Sequence, residues 1–335
     1  MKKVLMLGTG GTIASGLTDS GLAPQLTSEQ LVQNVPEISQ LCDVTCRQLF
    51  SIDSTNITPQ HWLTIARAIR ESFDDFDGFV ISHGTDTMAY TAAALSYLIQ
   101  ESGKPIVLTG AQKPILFENT DSKANLADAF RCAVSDMAGV VLVFNGRVIL
   151  GTRARKTHTT SLQAFASINY PPLGVLQNGR LLEYIRPEAS ERPVFYDRLD
   201  DKVGLLKMIP GTPCGLLSYL LDHNDAVIIE SYGVGGLPSY QGSGFFDVIR
   251  GAIERDKTVV MTTQVPNEGS NLAVYDVGFH LKHDLRLLEA YDMTTEAAVA
   301  KLMWVLGQTK EPEQIRRLFY RTVAHDLLYL KEGQS

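Results

Sequence analysis

Residues Lys3–Ser15, KVLMLGTGGTIAS, join a short apolar run to a loop with three glycines and two threonines in the five positions Gly8–Thr12. An apolar run without polar alternation is typical of a strand buried on both faces of a parallel sheet. Gly-rich loops after such strands often cradle phosphates. The stretch therefore predicts a first β-strand, followed either by a phosphate loop or by a loop that presents a threonine.

The two common phosphate-binding patterns are not completed in this region. The dinucleotide fingerprint G-x-G-x-x-G begins at Gly8, but its sixth position is Ile13. The Walker pattern G-x-x-x-x-G-K begins at Gly16, but Leu22 stands where lysine is required. A tight glycine turn before a helix remains a simple structural alternative, so the function of the loop depends on the rest of the chain.

Further apolar runs alternate with helical patterns over the first half of the chain. The runs are GFVIS (78–82), PIVLTG (105–110) and VVLVFNGRVILG (140–151). Helices are predicted over Thr58–Phe73, with Thr58 as N-cap and Pro59 as first helical residue, over Thr87–Gly103 and over Thr120–Ser135. This alternation predicts a parallel α/β sheet with right-handed crossovers.

A charged segment with two prolines, residues 184–202, interrupts this series, and a second series of strands and helices follows it. A chain of 335 residues is long for a single core. We predict an α/β fold in two domains, each with a mainly parallel sheet flanked by helices. The larger N-terminal catalytic domain covers residues 1–190, a linker covers 191–203, and the smaller C-terminal domain covers 204–335.

Composition excludes several classes of function. The net charge is −7 and no dense Lys/Arg run occurs, which argues against a nucleic-acid partner. No stretch approaches the ~20 apolar residues that span a bilayer, and the apolar run after Lys3 is too short for a signal peptide. The four cysteines are scattered and indicate free thiols in a reducing compartment. The expected location is the cytoplasm.

Metal and cofactor signals are likewise lacking in the sequence. Cys42 and Cys46 are three residues apart, but no second pair completes a zinc set. No H-E-x-x-H pattern occurs. We therefore expect neither a metal nor another cofactor.

A second loop of the same design is ISHGTDTMAY (81–90), which follows an apolar strand and precedes a helix. Ligands in open α/β sheets bind outside the carboxyl ends of the strands. The loop around Thr85 and Asp86 is therefore expected to converge with the loop around Thr12. The structural alternative is a cap for the helix that follows, although capping does not require the whole Gly-Thr-Asp-Thr block.

Two other polar segments occupy comparable positions. Lys156 follows the strand GRVILG (146–151), which we expect to end at the same edge of the sheet. Asp53, Ser54 and Thr55 precede the helix that begins at Pro59, and their hydroxyls suit a ligand carboxylate. The alternatives are a solvated surface lysine and a second set of helix-capping residues.

Four motifs together give the chain a resemblance to a known family. They are TGGTIAS (9–15), HGTDTMAYTA (83–92), LTGAQKP (108–114) and ESYGVGGLP (230–238). In combination they resemble the bacterial-type L-asparaginases. The cytoplasmic type I branch fits best, through IDSTNITP (52–59) and AFASINYPP (164–172), and the similarity covers essentially the whole chain.

The resemblance implies specific roles for four residues. Thr12 would be the nucleophile that forms a β-aspartyl ester with L-asparagine. Thr85 would be the second catalytic threonine, paired with Lys156. Asp86 would contact both this lysine and the α-amino group of the substrate. A free amino acid is then the expected substrate, because a carboxylate attracts its ammonium group.

The resemblance also places Ser54, with Asp53 and Thr55, at the α-carboxylate of the substrate. Many members carry a tyrosine in the loop after the first threonine motif, whereas this chain has Leu22 there. The base that activates Thr12 is thus left open, between another residue and the Thr85–Lys156 pair. The segment TIASGLTDSGLAP (12–24) is predicted to act as a lid that excludes water.

Amide hydrolysis needs a nucleophile, a base, an oxyanion site and a proton for ammonia. Peptide N–H groups of TGGT and HGT are the expected oxyanion donors, since glycine lets the backbone approach closely. A Ser-His-Asp triad lacks the G-x-S-x-G elbow, and His83 is expected to be a hydrogen-bonded structural residue. L-Glutamine is only one methylene longer, which leaves room for weak L-glutaminase activity.

Two other classes of function compete with the amidohydrolase. A tRNA-linked amidase subunit would carry an extra N-terminal domain, and the first strand at about Lys3 leaves no room for one. A non-catalytic binding module for amino acids or nucleotides would not need paired threonines with a lysine. The resemblance further implies a homodimer or homotetramer.

Overall fold

Two separate β-sheets organise the chain. Met1–Asp197 surround an eight-stranded sheet and Arg198–Ser335 a four-stranded one. The computed structural model describes residues 1–18, 21–190, 192–274 and 287–328, with the backbone alone at 17–18 and 22–24. The predicted α/β class and two-domain organisation are confirmed, while the predicted linker at 191–203 stays a prediction.

The strands of the first unit are β1 (Lys3–Gly10), β2 (Ser15–Thr18), β3 (Gly21–Pro24), β4 (Asp43–Ile52), β5 (Gly78–Ser82), β6 (Ile99–Gln100), β7 (Pro105–Thr109), β8 (Gly139–Phe144), β9 (Arg147–Leu150), β10 (Ala154–Lys156), β11 (Phe165–Ser167), β12 (Gly174–Gln177), β13 (Arg180–Glu183) and β14 (Val194–Phe195). Those of the second unit are β15 (Val203–Lys207), β16 (Ala226–Ser231), β17 (Thr258–Thr263) and β18 (Leu288–Glu289).

The α-helices are α1 (Ser28–Gln33), α2 (Ile38–Leu41), α3 (Pro59–Glu71), α4 (Met88–Leu98), α5 (Ser122–Ala133), α6 (Cys214–His223), α7 (Phe245–Ile253), α8 (Thr295–Gln308) and α9 (Pro312–Tyr320). Short 3-10 helices cover Thr12–Ala14, Ser54–Asn56 and Leu272–Val274.

The large sheet has the order β13-β12-β9-β8-β7-β5-β1-β4. Strands β4, β1, β5, β7 and β8 run parallel. The last four were predicted, whereas β4 was not, because this edge strand has only exposed and half-buried residues and no continuous apolar run. From β1 the chain goes to β4 on one side and then to β5 on the other. This reversal is a topological switch point, where a crevice opens at the carboxyl ends of the strands and ligands bind.

The remaining three strands of this sheet are antiparallel, which corrects the parallel interpretation of residues 140–151. That apolar run is a hairpin of β8 and β9, turned by Asn145 and Gly146 at φ 48° and 69°. Asn178 and Gly179 turn β12 into β13 in the same way, at φ 52° and 72°. Asn-Gly is favoured in such turns because both positions need positive φ.

The helices that flank the site form for different reasons. Helix α3 has Thr58 as N-cap and Pro59 at its first position, as predicted, and it buries Trp62 and Ile69. Helix α4 is apolar on nearly every side and is accordingly buried on nearly every side. It ends at Leu98, five residues before the predicted Gly103, because Ile99–Gln100 pair with β14 instead.

The second unit is a parallel sheet in the order β15-β16-β17-β18. Its core combines residues of this sheet with the buried faces of α6 and α7, including Ile229, Leu217 and Phe245. Helix α6 begins after Pro213, and α8 begins after the N-cap Thr294, whose hydroxyl accepts from the Ala297 amide at 3.0 Å.

Candidate active site

The loops after β1 and β5 contact each other through their backbones. A Cβ atom on Gly11 would lie 2.3 Å from the Gly84 amide nitrogen, and Gly11 has φ 80°. Both observations require glycine at this position. Thr12 and Thr85 directly follow the two touching glycines, so the predicted convergence of the two threonine loops is confirmed.

Thr85 and Asp86 share one lysine. The Lys156 ammonium donates to Thr85 Oγ1 at 2.8 Å and pairs with Asp86 Oδ1 at 2.6 Å. The Lys156 side chain is 18% exposed and that of Asp86 is 56% exposed. The lysine is therefore mostly enclosed, while the carboxylate remains open to solvent and to a ligand.

Lys156 reaches this position by a different route from the one expected. Strand β9 runs antiparallel to β8, so its carboxyl end lies at the opposite edge of the sheet. The expectation that GRVILG ends at the site is wrong for this reason. Lys156 is instead the last residue of β10, which pairs with β11 in a separate two-stranded sheet.

Thr12 begins a 3-10 helix and is half-buried. Its hydroxyl makes no hydrogen bond to any other residue that the structure describes, so it is available to a ligand. The segment is held by its neighbours: Ser15 Oγ donates to the Gly11 carbonyl at 3.0 Å, and the Ile115 amide donates to the Ile13 carbonyl at 3.2 Å.

The expected oxyanion donors need one correction. The Gly11 amide donates to the Ile52 carbonyl at 3.0 Å, so this N–H of the TGGT loop is already used. Within the described ranges, the N–H groups of Thr12 and Thr85 have no acceptor. These two amides, on adjoining loops, are the better candidates for an oxyanion site.

Of the three candidates after β4, the structure buries only Ser54. A Cβ atom on Gly84 would lie 2.6 Å from Ser54 Oγ, so this hydroxyl sits against the Thr85 loop. Asp53 and Thr55 are exposed and bond each other, since Asp53 Oδ1 accepts from the Thr55 amide at 2.8 Å and from its hydroxyl at 2.9 Å. They shape the turn that presents Ser54.

Gln112 also belongs to this region and was not singled out from the sequence. It lies in the loop after β7, and its amide nitrogen donates to the carbonyls of Thr159 and Ser161 at 3.0 and 3.1 Å. Its Oε1 lies 3.4 Å from Thr85 Oγ1. Gln112 thus ties the loop that follows Lys156 to Thr85. The signal was present, because PIVLTG is followed by polar residues in the same way as β1 and β5.

The predicted lid, residues 12–24, contains a hairpin in which β2 pairs antiparallel with β3. Positions 19–20 and the side chain of Leu22 lie outside the described residues, so the lid stays a prediction.

No group of three or more potential metal ligands occurs in the part of the chain that the structure describes. All four cysteines are free thiols. No described helix has the length and apolar character needed to cross a membrane.

Family models match most of the chain. The model described as Asparaginase, N-terminal matches residues 3–188, and that described as Glutaminase/Asparaginase C-terminal domain matches residues 202–319. The L-asparaginase of Thermococcus kodakarensis is 38% identical over 97% of this chain and 99% of its own length. One component of the glutamyl-tRNA(Gln) amidotransferase of Pyrococcus horikoshii is 36% identical over 97% of this chain and 76% of its own length.

Solved structures show the same similarity. The T. kodakarensis L-asparaginase superimposes with a TM-score of 0.91 over 98% of this chain and 100% of that chain. L-asparaginase I of Vibrio cholerae, 31% identical, gives a TM-score of 0.87 over 98% and 99%. A probable cytoplasmic L-asparaginase from Campylobacter jejuni, 28% identical, gives 0.80 over 95% and 99%.

Proposed function

The chain belongs to the asparaginase family and is an L-asparaginase amidohydrolase, and we propose that it hydrolyses free L-asparagine through an ester of Thr12. The observation that carries the proposal is that Lys156 bonds both Thr85 and Asp86. The loop of these two residues contacts the Thr12 loop through the backbones of Gly84 and Gly11. A positioned nucleophile beside a hydroxyl–lysine pair is the arrangement that acyl transfer requires.

In the first step the Thr12 hydroxyl attacks the carbon of the side-chain amide, and the bond from that carbon to nitrogen then breaks. The N–H groups of Thr12 and Thr85 stabilise the negative oxygen of the tetrahedral intermediate. Ammonia leaves with the proton that Thr12 gives up, and this proton passes through Thr85 and Lys156. A β-aspartyl ester remains on Thr12.

In the second step water replaces ammonia. Thr85 takes a proton from the attacking water while Lys156 stabilises the developing charge on its oxygen. The ester bond breaks, the proton returns to Thr12, and L-aspartate leaves. This arrangement lets the Thr85–Lys156 pair act in both steps, so the base for Thr12 does not have to come from position 22.

Substrate recognition follows from the charges at the same edge. The exposed Asp86 carboxylate binds the α-ammonium group of the substrate, and Ser54 donates to its α-carboxylate. Asp53 and Thr55 support this contact by fixing the Ser54 turn. The same contacts admit L-glutamine with lower efficiency, because one extra methylene costs about 1–3 kcal/mol.

We expect the purified protein to release ammonia from L-asparagine with a kcat/KM about 10- to 200-fold above that for L-glutamine. Succinamate, which is L-asparagine without the α-amino group, should be poorer by about 10²-fold or more, because Asp86 then lacks its partner. Coupled ammonia detection with the three compounds tests this. Release from succinamate as fast as from L-asparagine would contradict the role of Asp86, and no release from any of them would contradict the proposed function.

We further propose that the protein is cytoplasmic and forms a homodimer or homotetramer. Support for assembly comes from α6 and the turn before it, which expose Ile209, Leu216 and Tyr219 by 62%, 51% and 61% of their surface. Clustered exposed apolar side chains favour association. Light scattering coupled to gel filtration should show two or four chains, and Leu216→Glu with Tyr219→Glu should lower that number. A monomeric wild type would contradict the assembly.

A further inference from the structure

His83 is fully buried beside the catalytic loop, and the proposed mechanism does not use it. Its amide donates to the Thr109 carbonyl at 2.8 Å, which anchors the residue to the sheet. Its ring makes two contacts: Nδ1 lies 2.7 Å from the Gly84 carbonyl oxygen and Nε2 lies 2.9 Å from Thr91 Oγ1. The ring therefore connects the loop that carries Thr85 to helix α4.

The Gly84 carbonyl can only accept, so His83 Nδ1 carries a hydrogen and donates to it. At the other end of the chain of bonds, the Trp62 indole N–H lies 3.0 Å from Thr91 Oγ1, and an indole can only donate. Thr91 Oγ1 accepts this bond, so its own hydrogen is available to His83 Nε2. Nε2 accepts this hydrogen when the ring is neutral, because a neutral imidazole carries a single N–H and Nδ1 already bears it. The hydrogen bonds thus run in one direction: Trp62 donates to Thr91, Thr91 to His83, and His83 to the Gly84 carbonyl.

The Gly84 carbonyl belongs to the same peptide unit as the Thr85 N–H. In a planar trans peptide the C=O and the N–H point in opposite directions. Holding the carbonyl toward His83 therefore turns the Thr85 N–H away from the buried ring. That N–H has no acceptor among the described residues, and it is one of the two oxyanion donors proposed above.

We propose that His83 is a positioning residue, which fixes the orientation of the Gly84–Thr85 peptide, and that Thr91 and Trp62 fix the His83 ring. The inference rests on the proposed function, since it assigns His83 to the same reaction. Burial lowers the pKa of His83 to about 4, although the bond to Gly84 opposes this shift. The ring is therefore neutral at neutral pH, and Nε2 accepts from the Thr91 hydroxyl.

Two pairs of variants separate positioning from general support of the fold. His83→Asn keeps an N–H group near the place of Nδ1, whereas His83→Leu removes it. Thr91→Ser keeps the hydroxyl, whereas Thr91→Val removes it. We expect kcat for L-asparagine to fall about 10- to 100-fold in His83→Leu and about tenfold in Thr91→Val, while KM changes less than threefold. His83→Asn and Thr91→Ser should stay within about threefold of the wild type.

These assays are run well below the melting temperature of each variant, so that the folded enzyme is compared. An unchanged kcat in folded His83→Leu would overturn the inference, as would an equal loss of kcat in His83→Asn. An effect confined to melting temperature would show a structural role alone and would also overturn it.

A second measurement does not depend on activity. Nitrogen-15 NMR of the wild-type ring should show the neutral Nδ1–H tautomer from pH 8 down to pH 5.5. A charged ring or the Nε2–H tautomer in this range would overturn the inference. If the wild type released no ammonia from L-asparagine, the proposed function would fail, while the NMR experiment would still test how His83 holds the Gly84 carbonyl.

Discussion

Thr12→Ala is expected to lower kcat for L-asparagine on the order of 10³-fold or more while leaving the fold intact. In the proposed mechanism Thr12 supplies the oxygen that forms the ester, and its hydroxyl makes no hydrogen bond to any other residue that the structure describes. Its loss therefore removes the nucleophile without breaking a hydrogen bond of the native state. Steady-state ammonia release and thermal melting of the same sample measure the two effects separately.

Two control variants make this result specific. Thr12→Ser keeps a hydroxyl and should keep turnover that is readily measured. Thr64→Ala removes an exposed hydroxyl that, among the residues the structure describes, bonds only the Gln60 carbonyl within helix α3, and it should leave kcat unchanged. Retention of most activity in Thr12→Ala would show that another residue is the nucleophile.

Lys156→Met is expected to lower kcat about 10²- to 10⁴-fold, the range for loss of a positioned proton-transfer group. Methionine fills most of the space of lysine but cannot donate to Thr85 or pair with Asp86. Both steps should slow, because the Thr85–Lys156 pair handles the proton in each. KM should also rise, since Asp86 loses the partner that holds its carboxylate. Kinetics over a wide range of L-asparagine concentrations separate the two parameters.

Lys2→Met is the matched control for this change. Lys2 forms an exposed ion pair with Asp136, with side chains 43% and 75% exposed, and exposed pairs contribute little to stability. Its removal should alter neither kcat nor KM.

Lys156→Arg keeps the charge but replaces a compact ammonium group with a larger, planar guanidinium group, so it should retain only part of the wild-type rate. Full activity of Lys156→Met would contradict the proposed proton route.

Strands β1, β5, β7 and β8 could be predicted because buried parallel strands leave continuous apolar runs. Strand β4, which leads to Ser54, was missed because it lies at the edge of the sheet and none of its residues is buried. The β8–β9 hairpin was misread because its two strands are also buried and lack polar alternation. The Asn-Gly pair at 145–146 was the available signal for a turn. The early end of α4 could not be predicted, since it depends on the pairing of Ile99 with Phe195, almost a hundred residues away.

The site shows the same division between local and long-range information. Thr12 and Thr85 were predicted to meet because both follow parallel strands, and Gly11 and Gly84 do bring their loops into contact. The contact of Lys156 with Thr85 depends on β10, a three-residue strand outside the main sheet. The resemblance identified this lysine, whereas strand position alone gave the wrong route. The orientation of the His83 ring depends on Trp62 and Thr91 and follows from no local pattern.

The most direct test of the account identifies the residue that carries the ester. Thr85→Ala should slow both steps, so that acid quenching at intervals during its slow turnover of L-asparagine catches the β-aspartyl ester. Peptide mass spectrometry should then find the aspartyl group on Thr12 and no such group in Thr12→Ala. An aspartyl group on any other residue would contradict the central claim.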